Sequence, residues 1–121
     1  MNSNPVLRHV RRAALLRDGG GLSDSQLLER FLLGRDEDAF AGLLKRHGPM
    51  VLAVCRRVLG DQHDAEDACQ ATFLILARKA ASVRRRTALG SWLHGVAYRT
   101  SLKARTMMAR QRAPCQVARI P

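Results

Sequence analysis

The chain is 121 residues long, enough for one domain with a single core. Its 21 Lys and Arg stand against 10 Asp and Glu, a net charge of +11, and only 4% of its residues are aromatic. A balance this basic points to a polyanionic partner, nucleic acid before anionic membrane, and apolar runs as short as 49–55 and 73–77 exclude a membrane-spanning helix there.

The charges are unevenly placed. Nine of the ten acids lie between Asp24 and Asp67, whereas residues 78–121 carry eleven Lys or Arg and no acid. One part of the chain therefore offers negative charge to a protein partner, and the other offers a positive surface to a polyanion. Three cysteines, Cys55, Cys69 and Cys115, are an odd number without a CxxC pair. They suit a reducing compartment rather than a disulfide framework. The first twenty residues are rich in Arg and lack the apolar stretch of a secretory signal. The expected location is the cytoplasm, with no membrane partner.

Residues 1–21 read as a basic arm, expected to be mobile or loosely docked. Val6, Val10, Ala13, Ala14 and Arg17 fall at helical spacing, and Gly19-Gly20-Gly21 then forms a joint. The next helix starts at Ser23 or Asp24, either of which suits an N-cap. Leu27, Leu28, Phe31 and Leu32 form its apolar stripe, and Gly34-Arg35-Asp36 interrupts it. The pattern resumes over 37–47 through Ala39, Phe40, Leu43 and Leu44. Gly48-Pro49 is expected to end it, because proline lacks an N–H and crowds the preceding turn.

A further helix is expected over 50–59, with Val51, Val54, Val58 and Leu59 on one face and Gly60 as a left-handed C-cap. The next is expected over 64–80, with Asp64 as N-cap and Asp67 in the position of a capping box. Its apolar face comprises Ala65, Cys69, Thr72, Phe73 and Leu76. Arg84, Arg85 and Arg86 form a basic loop. A last helix is expected from Leu89 to about 110, with Leu89, Trp92, Leu93, Val96 and Ala97 at spacings of three and four, ending by Pro114. Nothing reads as a strand. The expected fold is all-α, a compact bundle of about four helices over residues 22–112 with a short tail at 113–121. The expected core includes Phe31, Phe40, Leu44, Val54, Val58, Phe73, Leu76, Trp92, Leu93 and Val96.

For catalysis the sequence is poor. His9, His47, His63 and His94 show no metal-ligand spacing with one another or with the cysteines. Asp64, Glu66 and Asp67 are explained by helix capping and by the positive end of the helix dipole. There is no phosphate loop and no nucleophile elbow, so neither an enzyme nor a metal or other cofactor is expected. For nucleic acid the sequence is richer. Arg99 and Lys103 are one turn apart and leave the same helix face. The Arg84, Arg85 and Arg86 loop has the backbone freedom to follow phosphates. His94 and Tyr98, four apart, suit stacking on an unpaired base.

These residues carry a family resemblance. The stretch 23–46, the Gly48-Pro49 step, the run Leu59-Gly60-Asp61, Asp64-Ala65-Glu66-Asp67, Gln70 and Phe73-Leu74, and then Ser91-Trp92-Leu93-His94-Gly95-Val96-Ala97-Tyr98-Arg99-Thr100 resemble region 2 of a bacterial sigma-70 family RNA polymerase sigma factor. The resemblance covers roughly residues 22–112 and is nearest to the extracytoplasmic-function group. It implies that the helix bearing Asp64, Asp67, Gln70 and Leu74 docks on the clamp helices of the β′ subunit of core polymerase. It further implies that Arg84, Arg85, Arg86, Leu89, His94, Arg99 and Lys103 take the non-template strand of the promoter −10 element. An anti-sigma factor is another partner implied.

The chain departs from the family pattern at several positions. It has Gln70-Ala71-Thr72-Phe73 where Gln-Glu usually precedes the Phe, Arg99 where an Asn is common, and Leu89 where an aromatic is frequent. Residues 111–121 have no room for region 4, the helix-turn-helix that binds the −35 element. The expected function is a transcription initiation module binding core polymerase and the −10 element. The alternatives are a truncated paralogue or decoy that binds polymerase without initiating, and a nucleic-acid-binding regulator with no polymerase contact.

Overall fold

The structure, a computed structural model, describes residues 21–83 and 88–119, with side chains as far as Gln111. The expected arm over 1–20 and the Arg84, Arg85 and Arg86 loop lie outside the described residues. Four helices follow one another: α1 (Asp24–Gly34), α2 (Glu37–Leu59), α3 (Gln62–Lys79) and α4 (Leu89–Arg119), with one 3-10 turn, Ala80–Ser82, after α3. Among the described residues there is no strand, and the all-α bundle is as the sequence predicts.

Local chemistry sets each helix end. Ser23 caps α1 through a reciprocal pair: the Gln26 amide donates to the Ser23 hydroxyl at 3.1 Å, and the Ser23 amide donates to Gln26 Oε1 at 2.8 Å. At the far end Arg35 adopts a left-handed φ of 54°, and its amide donates to the Phe31 carbonyl at 2.9 Å. Asp36 then caps α2, accepting from the amides of Asp38 and Ala39. Gly60, at φ 77°, closes α2 as the expected C-cap.

Three expected boundaries are corrected. Gly48-Pro49 does not break α2, which runs unbroken through Pro49. Proline forfeits one hydrogen bond, here to the Lys45 carbonyl, but its fixed φ is compatible with the helix. Lys45 and Pro49 are both exposed, so water reaches that carbonyl, while buried Leu43, Val51, Val54 and Cys55 hold both halves of the helix on one core. At the head of α3 the cap is Asp61, not Asp64: its carboxylate accepts from the amides of His63 at 2.7 Å and Asp64 at 3.1 Å. The link between α2 and α3 is thereby only Gly60 and Asp61. Finally, α4 passes Pro114 and ends at Arg119, so the expected tail is largely a continuation of the helix.

Helix α2 is the hub and touches α1, α3 and α4. Its buried side chains meet Leu27 and Leu28 of α1, Phe73 and Leu76 of α3, and Leu89, Leu93 and Ala97 of α4 in one cluster. Phe31 and Phe40 stack across the first bend with ring centroids 4.8 Å apart. Of the expected core, Val54, Phe73, Leu76, Leu93 and Val96 are buried, and Phe31, Phe40, Val58 and Trp92 are half-buried. Leu44 is a correction: it is 38% exposed, because it lies on the side of α2 that looks into an open groove.

Candidate functional site

Two surfaces stand out, one on α3 and one on α4, each backed by α2. On α3 the apolar stripe faces α2, which turns the spacing 64, 67, 70, 74 outward. Asp64 is half-buried, and Asp67, Gln70 and Leu74 are exposed, Leu74 by 57%. All four predicted polymerase-binding residues thus share one face. The N-terminus of α3 adds its own partial positive charge, which favours carboxylates such as Asp64 and Glu66 in the first two turns. A polar chain braces this end. Arg56 Nε donates to Gln62 Oε1 at 2.8 Å, and Gln62 Nε2 donates to Glu66 Oε2 at 2.7 Å.

Beside that face lies a groove of about 500 Å³, walled by Phe40, Leu44 and Leu52 of α2 and by Phe73 and Leu74 of α3, with Glu66, Cys69 and Gln70 alongside. The sequence reading missed the α2 side of it. Its signal was present: Phe40, Leu44, Gly48 and Leu52 recur every four residues, a stripe distinct from the one formed by Leu43, Val51, Val54 and Cys55. Burial pushes the Cys69 thiol above its ordinary pKa, helped by Cys55 and Glu66 nearby.

On α4, His94, Arg99 and Lys103 are exposed, as is Tyr98. Gly95 gives Arg99 its place. A Cβ at position 95 would lie 3.2 Å from a terminal nitrogen of the Arg99 guanidinium, so the missing side chain lets Arg99 fold back along the helix. The exposed residues fall on two stripes. Arg99 and Lys103 are continued by exposed Arg110, eleven residues and about 16 Å along the axis from Arg99. His94 and Tyr98 are continued by Arg105, which also donates to the Val58 carbonyl near the end of α2 at 3.5 Å. Arg105 and Arg110 were not among the predicted site residues, although their spacing from Tyr98 and Arg99 would have found them.

Leu89 is a correction of a different kind. It is 0% exposed and belongs to the core cluster, because the first turn of α4 lies against α2. In this structure its side chain is not available to a DNA strand.

Comparison with known protein families matches residues 43–111 to sigma-70 region 2. The chain belongs to the sigma-70 region 2 family. No curated protein and no solved structure gives a match. The family match takes in most of α2, all of α3 and α4 as far as Gln111, so it contains both surfaces. At the level of the family, region 2 carries a sigma factor-like role in binding RNA polymerase and promoter DNA. Among the described residues, no helix is long and apolar enough to cross a membrane, and no group of three or more His, Cys, Asp or Glu is placed to hold a metal ion.

Proposed function

We propose that this region 2 belongs to an extracytoplasmic-function sigma factor and that its two surfaces divide the work of initiation. Asp64, Asp67, Gln70 and Leu74 dock on the β′ clamp helices. His94, Arg99 and Lys103, with Arg84, Arg85 and Arg86 a few residues earlier in the chain, take the non-template strand of the −10 element. The observation that carries this reading is the placement of the two sets on separate helices, α3 and α4, that both pack on α2. A chain so arranged can hold polymerase and DNA at a fixed relative position. An exposed apolar Leu74 beside carboxylates also suits an anti-sigma factor competing for the polymerase face.

The test is capture of purified core polymerase by the wild-type chain and by Asp67→Ala/Gln70→Ala, followed by run-off transcription on templates with and without a −10 element. The wild type should capture core and the double variant should lose most of that binding while keeping its helicity. Capture without a run-off product makes the chain a polymerase-binding regulator. Equal capture by both proteins removes α3 from the interface.

A further inference from the structure

His47 belongs to neither surface, yet it sits where α1, α2 and α4 meet, its side chain only 13% exposed. One edge of the ring faces α1: Nε2 lies 2.9 and 3.0 Å from the two carboxylate oxygens of Asp24. Another edge faces the first turn of α4, where a Cβ on Gly90 would stand 3.6 Å from Cε1 and 3.8 Å from Nδ1. We propose that His47 is a positioning residue for base recognition. Held by Asp24, its ring is the seat on which Gly90 rests, and it sets where His94, one turn further along α4, meets the unpaired strand. The inference rests on the assignment of α4 to the −10 strand.

The seat is fixed from both sides. Asp24, which holds the ring, is itself held by Arg46 at 2.8 Å, so the imidazole cannot swing away without breaking a half-buried polar group. On the other side, glycine lets the ring lie close to the backbone of α4. An alanine Cβ at position 90 would make an ordinary contact with the ring, whereas a longer side chain aimed the same way would run into it. The bulk of the imidazole therefore sets the spacing between α2 and the head of α4, and close packing passes that spacing on as position.

The head of α4 is where this spacing bears on base choice. Helices α2 and α4 run parallel: Gly90 lies against His47, and further along Arg105 reaches the Val58 carbonyl. At 1.5 Å and 100° per residue, His94 stands about 6 Å along the axis from Gly90 and about 40° round from it. Arg99 and Lys103 stand about 13 and 20 Å away, close to the Arg105 contact. A shift at the head that pivots near Arg105 moves His94 most and Lys103 least. Losing the seat should therefore weaken base choice and leave the phosphate contacts in place.

The experiment compares wild type, His47→Ala, His47→Gln, Gly90→Leu and His47→Ala/Gly90→Leu, as full chains with purified core polymerase. Fluorescence anisotropy gives the affinity for a −10-like and for a scrambled single strand across a salt series, and the readout is their ratio. A smaller folded fraction lowers both affinities by the same factor and cancels in the ratio, so lost stability alone does not move it. In His47→Ala and in Gly90→Leu the preference should fall roughly two- to tenfold, with the salt slope of the wild type. His47→Gln keeps an amide N–H for the Asp24 carboxylate and much of the bulk, and should retain most of the preference. The double variant, whose leucine enters the space the ring leaves, should recover part of it. If one single variant fails to fold, the other decides. Wild-type preference in a folded His47→Ala or Gly90→Leu overturns the proposal, as does a loss in His47→Gln equal to that in His47→Ala. A flatter salt slope in place of a lower preference also overturns it. A wild type with no preference between the strands overturns it together with the assignment of α4; a wild-type preference that the variants keep overturns it alone.

Discussion

Asp24 at the head of α1 and Arg46 in the middle of α2 meet at 2.8 Å, and this pair fixes where the first helix crosses the second. The same carboxylate faces His47 Nε2 at 2.9 and 3.0 Å, and Arg46 donates to the Leu22 carbonyl at 2.7 Å. The His47 ring also lies 3.6 Å from the Cβ position of Gly90 in α4. One carboxylate therefore helps to align three helices. The Asp24 and Arg46 side chains are only 19% and 22% exposed, so water replaces a lost partner poorly. Asp24→Ala should cost about 1–3 kcal/mol, read as a lower urea midpoint. Asp24→Asn, which keeps an acceptor oxygen, should cost less. Equal midpoints for wild type and Asp24→Ala would show that apolar packing alone sets the crossing.

Pro49 should be a weak point that mutation can repair. It sits inside α2 and is exposed, and no N–H at that position serves the Lys45 carbonyl. Pro49→Ala restores that donor and removes a residue that costs about 3 kcal/mol in a helix interior. Some of the gain is offset, because alanine also frees the unfolded chain, by about 0.4–1 kcal/mol. The net expectation is a stabilisation of about 2–2.6 kcal/mol, measured by thermal melting. A lower melting temperature for Pro49→Ala would mean that α2 needs the local distortion proline brings.

Phe73 and Leu74 are neighbours with opposite roles. Phe73 is 5% exposed and Leu74 is 57% exposed. Phe73→Ala should destabilise by about 3 kcal/mol, the low end for a buried phenylalanine, since the space left adjoins the open groove and can fill with water. Leu74→Ala should leave stability within about 0.5 kcal/mol and weaken capture of core polymerase. Paired melting and binding measurements on the two variants separate packing from docking. A large loss of stability in Leu74→Ala would place its side chain in the core after all.

The helices were legible because apolar side chains recur at 3.6-residue spacing on each of them, and the caps at Ser23 and Gly60 follow from side-chain and backbone chemistry at single positions. Pro49 misled because its penalty is local, while the choice between one helix and two was made by Leu43, Val51, Val54 and Cys55 packing against three neighbours. Asp64 misled for a related reason. Several acids in a row all favour a helix start, and only the tight Gly60 turn selects Asp61. The outward face of α3 could be read by subtraction from its core stripe. Leu44 could not, because an apolar residue lining a groove looks the same in sequence as one beneath a neighbouring helix. Leu89 carries the same ambiguity: its spacing marks it as core, and its place in the family motif suggested DNA.

The α4 surface should show its role in the dependence of binding on salt. Arg99, Lys103 and Arg110 form one exposed stripe, and each contact with a phosphate on a single strand contributes roughly −0.7 to the slope of log affinity against log salt. Lys103→Ala should flatten that slope by about 0.7 and weaken all strands alike, because an ammonium reads charge and not sequence. His94→Ala should instead narrow the preference for −10-like strands over scrambled ones, since a ring beside an unpaired base contributes by stacking and hydrogen bonding. Gly95→Ala offers a further check. A Cβ at position 95 presses on the Arg99 guanidinium from 3.2 Å, so this variant should shift strand preference with the net charge unchanged. Fluorescence anisotropy with labelled single strands, in the presence of core polymerase and across a salt series, reads all three variants. If Lys103→Ala and His94→Ala change only overall affinity, and by the same factor for every strand, α4 is an electrostatic platform and base recognition lies elsewhere in the chain.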